Sequence, residues 1–225
     1  MNDFTIINAR VVTPERIIDP GFVRIESGVI TEIDSGSNNL GATGTDVLNA
    51  NGCLLLPGFV DIHADSLETA IAPRPSAPFD TRTILPSYDA ELAMHGITTV
   101  FHCVGLAEIG EATKTLRTRK IASQIVDDIK LFMAKALLRT KIHLRYEITD
   151  TQSLPLLHKM VEDRKVDLVS IMDHTPGYGV FKDLEAYRDY YLRSGQTIKE
   201  ADDKFAQLTE KRKQLDEYAL KQLVT

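Results

Sequence analysis

Tryptophan is absent from this 225-residue sequence, and cysteine is nearly absent. With two cysteines the chain can form at most one disulfide, which excludes a small secreted scaffold held together by disulfides. Cys53 and Cys103 both lie in apolar, strand-like runs. We therefore predict that both are buried free thiols of a cytoplasmic protein.

Long apolar runs and an excess of basic residues are also missing. No stretch contains the ~20 consecutive apolar residues that a membrane-spanning helix needs. Residues 1–12 lack the cationic start and the small-residue cleavage site of a signal peptide. The formal net charge is −6, so no basic stripe is available to neutralise nucleic-acid phosphates. These absences predict a cytoplasmic protein with no membrane partner and no nucleic-acid partner.

The first 57 residues have the pattern of a small β module. Residues 21–25 and 29–33 alternate polar and apolar side chains on either side of Gly28, as two strands of a hairpin do. Residues 35–45 are rich in Gly, Ser and Asn and are predicted to form a loop. We predict a domain boundary after residue 57, with a small N-terminal β-sandwich module at 1–57.

Residues 58–225 instead alternate strand-like and helix-like patterns. The run at 97–101 is continuously apolar and β-branched, as in a strand buried on both faces, and Gly96 ends the helical pattern before it. This alternation predicts an α/β fold with a parallel sheet. Strands are predicted at 59–63, 97–101, 142–148 and 166–172, helices at 86–95, 115–138, 153–162 and 198–223, and a long loop at 66–85.

Polar residues follow the predicted strands at the point where each strand ends. Asp61, His63 and Asp65 are two residues apart, so they are expected to share one face of the first strand. Glu147 ends the third strand and His174 follows the fourth. Because the carboxyl ends of the strands of a parallel barrel meet at one mouth, His63, Asp65, Glu147 and His174 could converge there. Nitrogen and oxygen ligands of this kind suit zinc or a similar metal, although each residue alone is more often structural.

Other polar residues are weaker candidates. Arg145 shares the predicted face of Glu147, and Arg74 stands between two prolines on a stiff loop, which would suit a phosphate as well as it suits solvent. His102 lies inside an apolar strand and is interpreted as a hydrogen-bonded core histidine. His95 is expected to cap a helix or to face solvent.

Several motifs together resemble one known group of enzymes. A β module followed by Pro-Gly-Phe-Val-Asp-x-His and strand–helix units is similar to the amidohydrolase superfamily. Within it, the sequence resembles the diphosphatase family of the carbon–phosphorus lyase pathway, and Asp65 stands where most of the superfamily has a second His. The motifs that carry this resemblance are His63-Ala64-Asp65-x-Leu67-Glu68, Pro73-Arg74-Pro75, Gly96-Ile97-Thr98-Thr99-Val100, His143-Leu144-Arg145-Tyr146-Glu147 and Met172-Asp173-His174-Thr175-Pro176-Gly177.

The resemblance implies a fold and an activity. The fold would be a (β/α)8 metal-dependent hydrolase barrel, and the reaction the hydrolysis of alpha-D-ribose 1-methylphosphonate 5-triphosphate with release of pyrophosphate, in phosphonate catabolism. His63, Asp65, Glu147 and His174 would hold divalent metal, zinc or manganese, with two ions in the complete enzyme. Arg74 and Arg145 would contact substrate phosphate. A hydrolase of a cyclic amide or imide remains an alternative, as does an inactive remnant that serves as an interaction module.

The length does not match a complete barrel. A (β/α)8 barrel typically needs ~250 residues, whereas residues 58–225 are fewer and show four barrel-type strands. The resemblance implies a further His ligand and a nucleophile-orienting carboxylate that have no counterpart after His174. The sequence therefore predicts about the first half of a barrel, from a fragment or a truncated gene product. We expect this chain alone to be inactive, and to form a homo-oligomer or to pair with a complementary C-terminal half.

Overall fold

The computed structural model describes residues 3–36, 46–74, 77–108, 116–178, 181–193, 195, 197–213 and 215. The chain divides into two compact units, Met1–Gly58 and Phe59–Thr225. Most of the loop predicted at 35–45 and the last part of the helix predicted at 198–223 lie outside the described residues.

The N-terminal unit is a five-stranded sheet. The first strand of the chain lies inside this sheet: on one side it pairs antiparallel with the second strand, and on the other side it pairs parallel with two short later strands. Ser27 and Gly28 both have positive φ, which is the backbone geometry of a tight two-residue hairpin between the second and third strands. The strands are β1 (Phe4–Val12), β2 (Ile17–Glu26), β3 (Val29–Ser35), β4 (Asp46–Asn49) and β5 (Leu54–Leu55).

The second unit is a parallel four-stranded sheet with helices between the strands. Its strands lie in the order in which they occur along the chain, as in the first part of a (β/α)8 barrel. The α/β fold predicted from the alternating pattern is therefore confirmed. The elements are β6 (Phe59–Ala64), α1 (Ser66–Ile71), α2 (Thr81–Met94), β7 (Ile97–Leu106), α3 (Arg119–Phe132), β8 (Arg139–Glu147), a 3₁₀ turn (Thr151–Ser153), α4 (Leu154–Glu162), β9 (Leu168–Met172), α5 (Leu184–Arg193) and α6 (Ile198–Lys213).

One face of this sheet is covered by helices. Alternate residues of β7 and β8 are apolar and fully buried against α2, α3 and α4. Side chains alternate between the two faces of a strand, so the residues between them lie on the opposite face. The helix-covered face is formed by Val104, Leu106, Ile142, Leu144 and Tyr146, and the helices contribute Leu85, Tyr88, Ile125, Val126, Ile129, Leu157 and Met160.

Several predicted boundaries differ from the observed ones. Part of the predicted 66–85 loop is helical: α1 occupies its start, and α2 begins at Thr81, where the Asp80 side chain accepts a hydrogen bond from the backbone N–H of Arg82. Likewise α3 starts at Arg119, because Thr118 caps it by accepting from the N–H of Ile121. These starts depend on capping residues, which periodicity alone does not reveal.

The last two helices form a small cluster of their own. Phe181, Tyr187, Ala201 and Leu208 are buried together in this cluster. In the described part of the chain, no helix is both long enough and apolar enough to cross a membrane.

Candidate metal centre

A bulge in β6 decides which of its polar side chains reach the face opposite the helices. Asp61 pairs with Val100 and Ala64 pairs with His102. Between these two pairs, β6 advances by three residues and β7 by only two, so β6 contains one extra residue. Paired residues of parallel strands point to the same side, so Asp61 and Ala64 lie on the helix-covered face with Val100. The prediction that Asp61 shares a face with His63 and Asp65 is therefore wrong, because the extra residue shifts the alternation.

His63 and Asp65 form the first pair of predicted ligands. His63 Nε2 lies 3.2 Å from Asp65 Oδ2. Arg145 Nη1 donates a hydrogen bond to the other carboxylate oxygen, Asp65 Oδ1, at 2.7 Å. The guanidinium thus holds Asp65 against His63, while both side chains of this pair stay about half exposed.

Glu147 and His174 form the second pair. Glu147 ends β8 and is 1% exposed, and its Oε2 lies 2.6 Å from His174 Nδ1. The other oxygen, Oε1, accepts a hydrogen bond from Thr149 Oγ1 at 3.0 Å. Among the described residues, the four predicted ligands are thus joined by direct contacts as two pairs, and their joint role in holding metal stays a prediction.

Sequence reasoning missed a third group of donors, Cys103 and His143. These residues are opposite each other in the β7–β8 register, and Cys103 Sγ lies 3.4 Å from His143 Nδ1. Donor atoms of His63, Cys103 and His143 all lie within 4.8 Å of one another. His143 could have been found in the sequence, since it is four residues before Glu147 on the same strand face. The juxtaposition with Cys103 required the register.

Burial controls the protonation of this group. It raises the pKa of the Cys103 thiol to about 12, and it lowers the pKa of His143 from its ordinary value. Without a bound cation, both side chains are therefore neutral at pH 7. Cys53 is different: it is exposed, so the prediction that both thiols are buried is wrong for Cys53. Cys53 follows a turn at Asn51 and Gly52, both at positive φ, and stands just before the two-residue strand β5.

The remaining candidates lie away from these contacts. His102 is fully buried as expected, but neither ring nitrogen has a hydrogen-bond partner, so the interpretation as a hydrogen-bonded histidine is wrong. It packs against Tyr88 on the helix-covered face, and burial lowers its pKa to about 4. Arg74 is exposed in the loop after α1. His95 ends α2, with Nδ1 2.7 Å from the carbonyl oxygen of Glu91.

A polar cavity of about 460 Å³ opens beside the second pair. Thr149, which contacts Glu147, is part of its wall. Of the described residues that line the cavity, two are cations, Arg119 and Lys211. Arg119 is ion-paired with Glu108 at 3.2 Å and with Asp150 at 3.7 Å. An anionic group entering this cavity would meet both cations and, with them, two carboxylates.

Known proteins share this fold and part of this sequence. No family model matches the chain. A triazine hydrolase from Arthobacter aurescens is similar in structure with a TM-score of 0.50 at 11% identity, over 86% of this chain and 51% of that one. The likeness is one of fold, a parallel half-barrel together with a separate N-terminal sheet.

The comparison of sequences identifies relatives of this chain more specifically than the shared fold does. The chain is 30% identical to the alpha-D-ribose 1-methylphosphonate 5-triphosphate diphosphatase of Escherichia coli (strain K12), over 83% of this chain and 48% of that protein. It is also 37% identical to an imidazolonepropionase of Phocaeicola vulgatus, but over only 28% of this chain and 18% of that protein. The resemblance predicted from the motifs is confirmed: the chain is a relative of the diphosphatase within the amidohydrolase superfamily. It spans about half the length of that diphosphatase.

The donor set fits a bound metal. The superfamily is metal-dependent and commonly uses zinc, for which imidazole, thiolate and carboxylate are the usual ligands. This chain brings such groups to one sheet face, and His143 Nε2 is buried there without a hydrogen-bond partner. A buried nitrogen without a partner costs free energy that coordination of a cation would recover.

Proposed function

We propose that this chain provides the metal-binding part of a diphosphatase. The substrate would be alpha-D-ribose 1-methylphosphonate 5-triphosphate, cleaved with release of pyrophosphate. The observation that carries the proposal is the 30% identity to the diphosphatase over 83% of the chain, which includes the strand ends described above. Because the chain spans 48% of that relative, we propose the activity for a protein that supplies the remaining part as well, and not for this chain alone.

Four residues would hold the metal in this proposal: His63, Asp65, Glu147 and His174. When bound, a divalent metal supplies a Lewis acid and lowers the pKa of water, so that a nucleophile is available at neutral pH. The donors suit zinc, with manganese as the alternative, since both accept imidazole and carboxylate.

The chain's own contacts orient these donors. Arg145 Nη1 donates to Asp65 Oδ1, which leaves the second carboxylate oxygen, Oδ2, directed at His63. Nδ1 of His174 donates a hydrogen bond to Glu147 Oε2, so Nε2 of the same ring keeps its lone pair for a cation. Both arrangements pair an imidazole with a carboxylate, which sets the tautomer and the orientation of the ring.

A triphosphate substrate requires cations near the metal. Arg145 already lies at the first pair, and Arg119 and Lys211 are present in the cavity beside the second pair. Arg74, exposed on its loop, is a further candidate for contact with phosphate. A bidentate guanidinium stabilises phosphate oxygens more specifically than a lysine ammonium does.

Hydrolysis of a cyclic amide or imide is the second candidate. It would use the same metal ligands, and the short similarity to an imidazolonepropionase favours it. That similarity is limited to 28% of this chain, and cations beside the candidate ligands favour an anionic substrate. An inactive remnant that acts as an interaction module is the third candidate and predicts no turnover of either substrate class.

An assay with metal-loaded protein separates these candidates. The polypeptide encoded by the complete reading frame is incubated with the ribosyl triphosphate, and in parallel with dihydroorotate and hydantoin. We expect pyrophosphate release from the triphosphate and no ring opening of the cyclic amides. His174→Ala should abolish the release, whereas His158→Ala, an exposed histidine on α4, should leave it unchanged. Turnover of the cyclic amides alone would refute the diphosphatase assignment.

A further inference from the structure

We propose that His63, Cys103 and His143 form a sulfur-containing metal site that binds a zinc-like divalent cation through two imidazoles and one thiolate. This inference goes beyond the proposed function, because Cys103 and His143 are not among the ligands that the diphosphatase assignment uses. The sulfur-containing site shares His63 with the ligands proposed for the diphosphatase, and it does not depend on which substrate the protein binds.

The backbone places the three side chains together. Cys103 and His143 are register partners on the adjacent strands β7 and β8. His63 comes from β6, the next strand in the sheet, and lies within the bulge between Asp61 and Ala64. The rings of His63 and His143 meet edge to face with 5.2 Å between their centroids. Three neighbouring strands therefore contribute one donor each.

The distances are close to those of a formed site. All three donor atoms lie within 4.8 Å of one another. Around a tetrahedral zinc with bonds of ~2.0–2.3 Å, ligand atoms lie ~3.3–3.8 Å apart. Cys103 Sγ contacts the imidazole of His143 at Nδ1, 3.4 Å away, so the His143 ring must turn, together with the half-exposed His63 ring, for Nε2 of His143 and the thiolate to bind one cation. Cys103 and His143 are 1% and 3% exposed, so both donors lie away from solvent.

The hydrogen bonding of His143 supports a ligand role. His143 Nδ1 lies 3.1 Å from the carbonyl oxygen of Ile62. A carbonyl can only accept, so this hydrogen bond requires the proton on Nδ1. Nε2 then carries a free lone pair, and this nitrogen is buried without a partner. Metal-binding histidines are typically held in this way, with the other ring N–H donating to a backbone carbonyl.

The thiol makes this site chemically distinct from the oxygen-rich pairs. On binding, the Cys103 thiol would release its proton to solvent and coordinate as a thiolate, with no oxidation. Thiolate ligands favour soft or borderline cations such as Zn²⁺, Co²⁺ and Cd²⁺ over Mg²⁺. A fourth position would remain open for water or for the neighbouring Asp65 carboxylate.

Cobalt titration of the metal-free protein tests the site, and its optical readout does not depend on turnover. Under reducing conditions, we expect Co²⁺ to produce a thiolate-to-cobalt charge-transfer band that saturates at one thiolate-bound Co²⁺ per chain. Cys103→Ser and Cys103→Ala should lose the band, and His143→Ala should weaken cobalt binding by about 10-fold or more. Cys53→Ser is the matched control, since Cys53 is exposed and remote in sequence, and it should keep the full band.

Zinc X-ray absorption of the unmodified protein provides a second measurement that needs no substitution at Cys103. We expect one sulfur at about 2.3 Å and nitrogen ligands at about 2.0 Å from zinc. Zinc bound with nitrogen and oxygen ligands only would overturn the proposal, as would a charge-transfer band that survives Cys103→Ser. So would a failure of Co²⁺ and Zn²⁺ to bind. In the polypeptide encoded by the complete reading frame, a thiolate band without pyrophosphate release would instead refute the diphosphatase assignment and leave this site standing.

Discussion

The two faces of the parallel sheet differ sharply although they belong to the same strands. Toward the helices, β8 presents Ile142, Leu144 and Tyr146, all fully buried in one apolar cluster. Toward the other side, the same strand presents His143, Arg145 and Glu147. A single alternating pattern thus separates the residues that stabilise the fold from those for which we propose metal binding at the strand ends.

The difference between the faces lies in how their contacts are made. The helix-covered face depends on packing, so any residue of similar shape and polarity can serve there. The opposite face depends on individual hydrogen bonds, such as those of Glu147 with His174 and of Arg145 with Asp65. Substitutions on the first face should therefore change stability, and substitutions on the second should change function.

The largest effect is expected on the helix-covered face. Leu144→Ala removes a fully buried side chain and should lower the free energy of unfolding by about 2–5 kcal/mol, because the cavity cannot collapse completely. Urea denaturation measures this loss. The matched control is Leu131→Ala at an exposed position of α3, which should stay within about 0.5 kcal/mol of the parent. Equal losses in the two variants would contradict the packing described for β8.

Glu147→Gln should have the largest effect on the opposite face. The amide keeps the shape of the carboxylate but loses the charge, so turnover and zinc affinity should each fall by about 100-fold or more. Pyrophosphate release by the polypeptide encoded by the complete reading frame and a zinc titration measure these losses. Glu162→Gln, at the exposed end of α4, makes the same chemical change away from the sheet and should have no effect. A fully active Glu147→Gln enzyme would show that Glu147 is not a metal ligand.

Arg145→Met should have a smaller functional effect, about 10–100-fold on turnover, because it removes the group that orients Asp65 and not a ligand. Arg145→Lys should recover part of the activity, since the ammonium restores the charge but not the planar guanidinium. The control is Arg139→Met, at the exposed start of the same strand. If both substitutions at Arg145 behave like Arg139→Met in the kinetic assay, the orienting role is wrong.

The smallest effect is expected at Asp167, in the loop before β9, and it depends on pH. Burial raises the pKa of Asp167, but the hydrogen bonds from the Lys141 ammonium and from the Ile142 N–H outweigh burial and lower it below 3.8. A lowered carboxyl pKa in the folded state means that the stabilisation is present above pH 3.8 and is lost as pH falls through the folded pKa. Asp167→Asn should therefore cost about 1 kcal/mol or less at pH 7 and less at pH 2 than at pH 7. Urea denaturation of both proteins at the two pH values tests this, and an undiminished difference at pH 2 would contradict it.

The fold could be predicted from the sequence because its signals are local and repeated. The β-branched run that became β7 and the helical spacing that became α4 each determine one element, and their alternation is enough to predict a parallel α/β sheet. The boundaries were less predictable. Asp80 and Thr118 start their helices through single capping hydrogen bonds, which hydrophobic periodicity does not report.

The candidate site was only partly predictable. The sequence by itself determined that His63, Asp65, Glu147 and His174 stand at the ends of strands, because strand length and motif spacing are local properties. Only the tertiary structure decided which side chains meet. The extra residue in β6 directs Asp61 toward the helices, and the β7–β8 register sets Cys103 against His143, forty positions away in the chain. Bulges and strand register arise from contacts between segments distant in sequence, so neither is encoded in the pattern of any one strand.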